Sequence, residues 1–274
     1  MTIETIEQTP VDTADETPPK DPRRGPGALV RWAAAVLVFA AAATGTGYGL
    51  TAVERTDVPG LATDSDGRWD YPRIERPALP EGSPAPFAED NPAAVHHAPL
   101  RELLLPAPRG SVPDPGLKDE DGWLPPGEFA DLFALPQDRA EIRQQLIDYA
   151  VPGIAARGWT TPDGTRTRVY LLRFGSTGAA ESWRLAHGWS STGPVHELKD
   201  VSVARRDTEF PEEAQQEHVT AYPFTDAEPQ GREHTRLAYL TAGDTVGLVT
   251  QSRAGGARDV PFQQTVTLQG QLLG

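Results

Sequence analysis

From Trp32 through Val53 the chain carries no charged residue over 22 positions, and no other feature restricts its folding so tightly. A helix of that length rises about 33 Å, enough to cross a hydrocarbon core of about 30 Å. Trp32 opens the run and Tyr48 lies near its far end, side chains suited to the two membrane interfaces. Lys20, Arg23, Arg24 and Arg31 precede it, and Glu54, Arg55 and Asp57 follow. The bias of basic residues predicts a transmembrane helix over residues 28–53, with the N-terminus cytoplasmic and the C-terminal part outside the cell membrane. The lipid bilayer is then the first expected partner. Ala41 and Ala43 offer the small residues of a cleavage site, but a signal peptide has a shorter leader and a shorter apolar core. Arg23-Arg24 is followed by Gly-Pro-Gly, which fits a topology anchor better than a twin-arginine export signal.

The flanks on either side are poor in core-forming residues. Residues 1–27 hold six acids, three bases and five prolines, a composition that predicts a disordered cytoplasmic tail. Fourteen of the 27 prolines lie between residues 54 and 128. Residues 54–99 show neither a period of 2 nor one of 3.6. The run Pro-Ala-Leu-Pro-Glu-Gly-Ser-Pro-Ala-Pro within them predicts a Pro-rich stalk. Fully extended, such a stalk would reach about 140 Å.

The extracytoplasmic domain is expected over residues 100–274, opening on Leu100, Leu103, Leu104 and Leu105. Helices are predicted over 127–133 and 137–150, the second with Ile142, Leu146, Ile147, Tyr149 and Ala150 inward. Strands over 154–160 and 165–174 flank Thr161-Pro162-Asp163-Gly164, a turn sequence. Ser176 or Thr177 is placed to cap a helix that stops at Gly188. Weaker strands follow over 201–205 and 218–224. A second hairpin joins 232–242 to 245–252 through Gly243-Asp244, and a helix closes the chain over 261–273. Together these give an α+β fold: an antiparallel sheet of about five or six strands with helices packed on one face.

The layout of tail, helix, stalk and domain, the preference for Arg (22) over Lys (3), and the Ala/Pro-rich composition form a pattern. Leu-Leu-Leu-Pro-Ala-Pro-Arg-Gly at 103–110 belongs to it. So does the run Val169–Trp183, a strand ending in Arg-Phe followed by Ala-Ala-Glu-Ser-Trp. In these respects the chain resembles actinobacterial single-pass membrane proteins of unknown function that carry a stalked extracytoplasmic α+β domain. The resemblance brings no catalytic residues with it.

Composition excludes several chemistries. With no Cys there is no disulfide, thiolate zinc site or cysteine nucleophile. A net charge of −14, of which −12 lies beyond residue 53, argues against a nucleic-acid partner. Neither Gly-x-Ser-x-Gly nor Ser-x-x-Lys occurs, and His-x-x-x-His is missing among the six histidines. His96-His97 reads as a solvated pair at the stalk junction. Gly175-Ser176-Thr177-Gly178 reads as a strand-to-helix turn before it reads as an anion site. Trp159 and Trp183 read as core, and Trp189 as partly exposed.

One acidic loop matches a cation-binding pattern in part. Set on a twelve-residue EF-hand loop, Asp119 falls at position 3, Asp121 at 5, Gly122 at 6 and Glu128 at 12, so these three carboxylates are the candidate calcium ligands. Leu117 occupies position 1, where the pattern has Asp, and Pro113 and Pro115 forbid the entering helix. The same residues also read as an acidic turn before a helix, with no cofactor at all. The expectation is a non-enzymatic, membrane-anchored binding or structural protein of the cell envelope, its partner an envelope protein, lipid or wall component. An envelope hydrolase, or a sensor coupling the outer domain to the tail, is the alternative.

Overall fold

A computed structural model describes residues 65–189, 193–229 and 233–274. The expected tail, the transmembrane helix and the first part of the stalk lie outside the described residues. No helix among those described is long and apolar enough to cross a membrane. Residues 65–274 form a compact α+β unit.

The strongest strand of the sequence decides the architecture. In β4 (Arg166–Arg173), Tyr170 and Leu172 face one way and Val169 and Leu171 the other, and all four are buried. A strand buried on both faces sits in the middle of a sheet covered on both sides. β4 lies between β3 (Ile154–Thr160) and β8 (Thr245–Ala254). The sheet continues through β7 (Glu233–Ala242) and β6 (Thr220–Asp226) to β5 (Ala204–Arg206). Two short segments, β1 (Val112–Pro113) and β2 (Trp123–Leu124), share the outer edge of β3. The result is an eight-stranded antiparallel sheet, larger than the five or six strands expected. The additions are the two-residue edge pieces, too short to leave a periodic signal.

Helices cover both faces, not one. α1 (Pro126–Ala130), α2 (Pro136–Asp148) and α3 (Thr177–Ala186) cover the first, through Phe129, Ile142, Leu146 and Trp183. Ile147, expected inward, is exposed because Leu146 takes the buried position. Ser176 caps α3 by accepting from the Ala179 amide at 3.2 Å. α4 (Asp259–Leu273) covers the second face with Phe262, Val266, Leu272 and Leu273. Gln269, buried on α4, accepts from the Leu105 amide and donates to the Leu103 carbonyl, fixing the Leu100–Leu105 segment to the helix.

The stalk expectation fails over residues 65–99, which pack on the domain. Gln264 exchanges two hydrogen bonds with the Trp69 backbone, and Tyr71 pairs its hydroxyl with Thr265 at 2.9 Å. Tyr71 also meets Trp159 edge-on, while Ile74 and Phe87 pack on the second core. The segment runs without regular structure to residue 80 and then through a series of tight turns to Ala94, and its apolar side chains dock one by one without a period. His96, expected to be solvated, is buried: Nδ1 faces Asp244 at 2.7 Å and Nε2 faces the Leu273 carbonyl at 2.8 Å. Asp244 belongs to the β7–β8 turn, and the adjoining Gly243 has φ +50°. A Cβ at Gly243 would overlap the Ala94 carbonyl of the docked segment.

Two expected outcomes follow from these contacts. Gly243→Ala should lower stability by about 2–4 kcal/mol in thermal denaturation, from overlap added to backbone strain. Gly164→Ala, also at positive φ but facing open space, should cost about 1 kcal/mol. His187, buried against Trp183 and donating from Nδ1 to its carbonyl, has its pKa lowered to about 4 by burial and, secondarily, by neighbouring His196. An unfolded His titrates near 6.5, so the unfolded chain takes the proton first. The contribution of His187 is complete above about pH 6.5 and is lost as pH falls toward 4, by roughly 3 kcal/mol. Chemical denaturation across that range should show the loss, and His187→Gln should flatten it.

Candidate functional site

The site begins with two side chains two positions apart on β4. Arg168 and Tyr170 share the face covered by α1–α3, as strand alternation requires. Arg168 donates through Nε to Asp114 at 2.5 Å, and the Asp114 side chain is almost wholly buried. Two glycines make room for this pair. A Cβ at Gly158, opposite Arg168 in the ladder, would press on Asp114, and one at Gly116 would strike the Arg168 guanidinium. Asp114 also accepts from the Gly116 amide, so the turn that follows β1 is built around the carboxylate. Burial works against the Arg168 charge, but the hydrogen bond and charge of Asp114 keep its pKa above the ordinary value.

Tyr170 carries the anomaly. Its ring packs in the first core, against Phe129, and its buried hydroxyl has the Arg168 guanidinium beside it as a donor but no acceptor for its own proton among the described residues. Burial pushes the phenol up to about 12, against the opposing pull of Arg168, so it is a neutral donor at physiological pH. An orphaned buried hydroxyl costs about 1–3 kcal/mol. Two adjoining cavities, of about 30 and 270 Å³, share Leu132, Arg168, Tyr170 and Asp200 in their walls. Thr250, opposite Arg168 on β8, and the hydrogen-bonded pair Thr235–Ser252 line the smaller one. Lys118, Glu128, Asp131 and Lys199 line the larger one.

The rim is fixed by backbone pairing. Lys199 donates its amide to the Leu132 carbonyl, Ala134 donates to Glu197, and a tight turn links Leu198 to Val201. Asp200 sits within that turn. Lys118 pairs with Glu128 at 3.2 Å, and Asp131 with Arg143 at 2.7 Å. Among the described residues, Lys199 and Asp200 have no ion-pair partner.

The three candidate calcium ligands do not converge. Asp119 accepts from the Gly122 amide at 2.8 Å and closes the turn as its own cap. Asp121 adopts φ +50°, and its carbonyl takes the Arg101 guanidinium. Both line a groove of about 640 Å³ beside Arg101 and Arg157, whereas Glu128 is turned to Lys118 in the Tyr170 cleft. No three His, Cys, Asp or Glu side chains among the described residues form a group that could hold a metal ion. Trp189, expected partly exposed, is buried and stacked on Tyr239 at 4.2 Å, while Ser190 and Ser191 lie outside the described residues. Tyr170 and Arg168 escaped sequence reading because they sit in the best strand. A charged residue repeating at 166 and 168 in a strand apolar on both faces was the available signal.

No family model matches the chain, and no curated protein matches it.

Removing the orphan should relieve the cleft. In ligand-free protein, Tyr170→Phe should raise stability by about 1 kcal/mol. Asp114→Ala, which strands the Arg168 charge, should lower it by about 3 kcal/mol. Urea denaturation checks both.

Proposed function

We propose that the chain is a membrane-anchored, extracytoplasmic binding protein of the cell envelope, with the Tyr170 cleft as its ligand site. The observation that carries the binding role is Tyr170: the residue lines a cleft of polar groups, and its buried O–H has no acceptor among the described residues. A ligand acceptor would offset the cost of leaving it unpaired. In that role the phenol is a donor: it stays protonated, and Asp114 is committed to Arg168, so neither serves as a base.

The anchor rests on the uncharged run at 32–53 and its basic N-terminal flank. The resemblance to actinobacterial single-pass membrane proteins supports the same location.

The chain has no Cys, which gives single-cysteine labelling a clean background. With a membrane-impermeant maleimide, Glu212→Cys should react on intact cells and Thr13→Cys only after lysis; the reverse would overturn the location. Full-length protein purified from its own membranes should carry a small molecule, detected by mass spectrometry, that is depleted in Tyr170→Phe. A co-purifying molecule indifferent to that substitution would remove the cleft from the proposal.

A further inference from the structure

We infer that the Tyr170 cleft binds a small zwitterion of the amino-acid class, with its carboxylate on Tyr170 and Arg168 and its ammonium group at Asp200. The inference rests on the cleft being the ligand site and adds the chemistry of what enters it.

The hydrogen-bonding and charge capacity left unused in the cleft defines what can enter it. Three carboxylates of the cleft are already engaged: Asp114 by Arg168, Glu128 by Lys118 and Asp131 by Arg143. Asp200 is the acceptor left over, and it lies on the exposed turn at the mouth. At the buried end the unused capacity is of the opposite kind. Tyr170 presents an O–H without an acceptor, and Arg168, held to Asp114 through Nε, turns the rest of its guanidinium toward the Tyr170 oxygen, so only donors face the space. Lys199 adds an unpaired ammonium to the rim. Donors therefore lie inside and an anion outside.

A ligand with an acceptor at one end and a cation at the other satisfies both. A simple anion would reach the donors but bring a like charge toward Asp200, and Asp114 already neutralises much of the Arg168 charge. A simple cation would meet Asp200 but leave the phenol orphaned. Planar carboxylates match guanidinium donors in geometry, which favours that group for the inner end. The larger cavity, about 270 Å³, admits a small molecule rather than a folded partner.

The test is calorimetric titration of full-length protein in detergent with glycine, L-alanine and glycylglycine. Alaninamide lacks the carboxylate and N-acetylalanine lacks the ammonium group, and both serve as comparisons. At least one zwitterion should bind at least tenfold more tightly than either blocked form. Free amino acids against the dipeptide distinguish a free metabolite from a peptide as its source. Tyr170→Phe should weaken the zwitterion about tenfold while leaving the fold intact by thermal denaturation. Asp200→Asn should weaken the zwitterion and leave N-acetylalanine unchanged. Equal binding of the blocked forms, or no zwitterion binding at millimolar concentration, overturns the inference. In that event a co-purified molecule that still depends on Tyr170, a neutral sugar for example, would keep the cleft as the ligand site. A co-purified molecule indifferent to Tyr170 would remove both.

Discussion

The burial of β4 on both faces is the constraint from which the rest of the domain follows. Val169 and Leu171 on one side and Tyr170 and Leu172 on the other leave no surface of the strand for water. β8, its neighbour, is buried over the same stretch. A sheet with this centre must be covered twice, and the described residues supply four α-helices, three of them on one side. α4 alone cannot cover the second face of so wide a sheet. The proline-rich segment from residue 65 onward completes the cover, with Tyr71, Ile74, Phe87 and Ala98 serving as its buried contacts. Without cysteines no disulfide can hold this cover down, so packing and buried polar ties must.

His96 and Asp244 show how such a tie works. The imidazole reaches the β7–β8 turn through one nitrogen and the end of α4 through the other, so one side chain links the docked segment, the sheet and the last helix. Thr245 adds a hydrogen bond to the same carboxylate, and Arg173 donates to the Ala98 carbonyl from the end of β4. Buried polar groups contribute little net energy when satisfied and cost much when broken. Their effect is therefore on specificity: the segment docks in one register or not at all. The small turn at Gly243 belongs to the same logic, since only a residue without a side chain admits Ala94 against it.

Legibility in the sequence tracked how local the determining contacts are. The Gly243-Asp244 hairpin, the β3–β4 hairpin and the Ser176 cap were readable because their signals span a few residues and depend on backbone conformation. α4 was readable despite Thr265-Val266-Thr267, because Phe262, Val266 and Leu273 kept helical spacing. Residues 65–99 were misread because polyproline chemistry is the same whether the segment is solvated or docked. What decides between the two is Gln264, Thr265 and Asp244, about 150 to 200 residues away. His96 and Trp189 were misplaced for the same reason, their burial being conferred by distant partners. The second covered face was legible in part: Val-Tyr-Leu-Leu is the continuous apolar run that a doubly buried strand leaves, whereas a one-faced sheet alternates.

The cleft arises where that double burial meets charge. At 166 and 168, β4 turns from apolar to basic on the α1–α3 face while Val169 keeps the opposite face dry. Arg168 can stay there only with a carboxylate brought to it, and the chain after β1 brings Asp114, with glycines at 116 and 158 removing the side chains that would obstruct it. This pair satisfies the strand's charge but gives the Tyr170 hydroxyl no acceptor. A fold selected for stability alone has a simpler solution at that position, phenylalanine, which fills the same volume and leaves no donor stranded. Tyr239 also leaves a buried hydroxyl without a partner, so an unpaired phenol alone marks no site; what sets Tyr170 apart is its place in the wall of a cavity, beside an arginine anchored through one nitrogen.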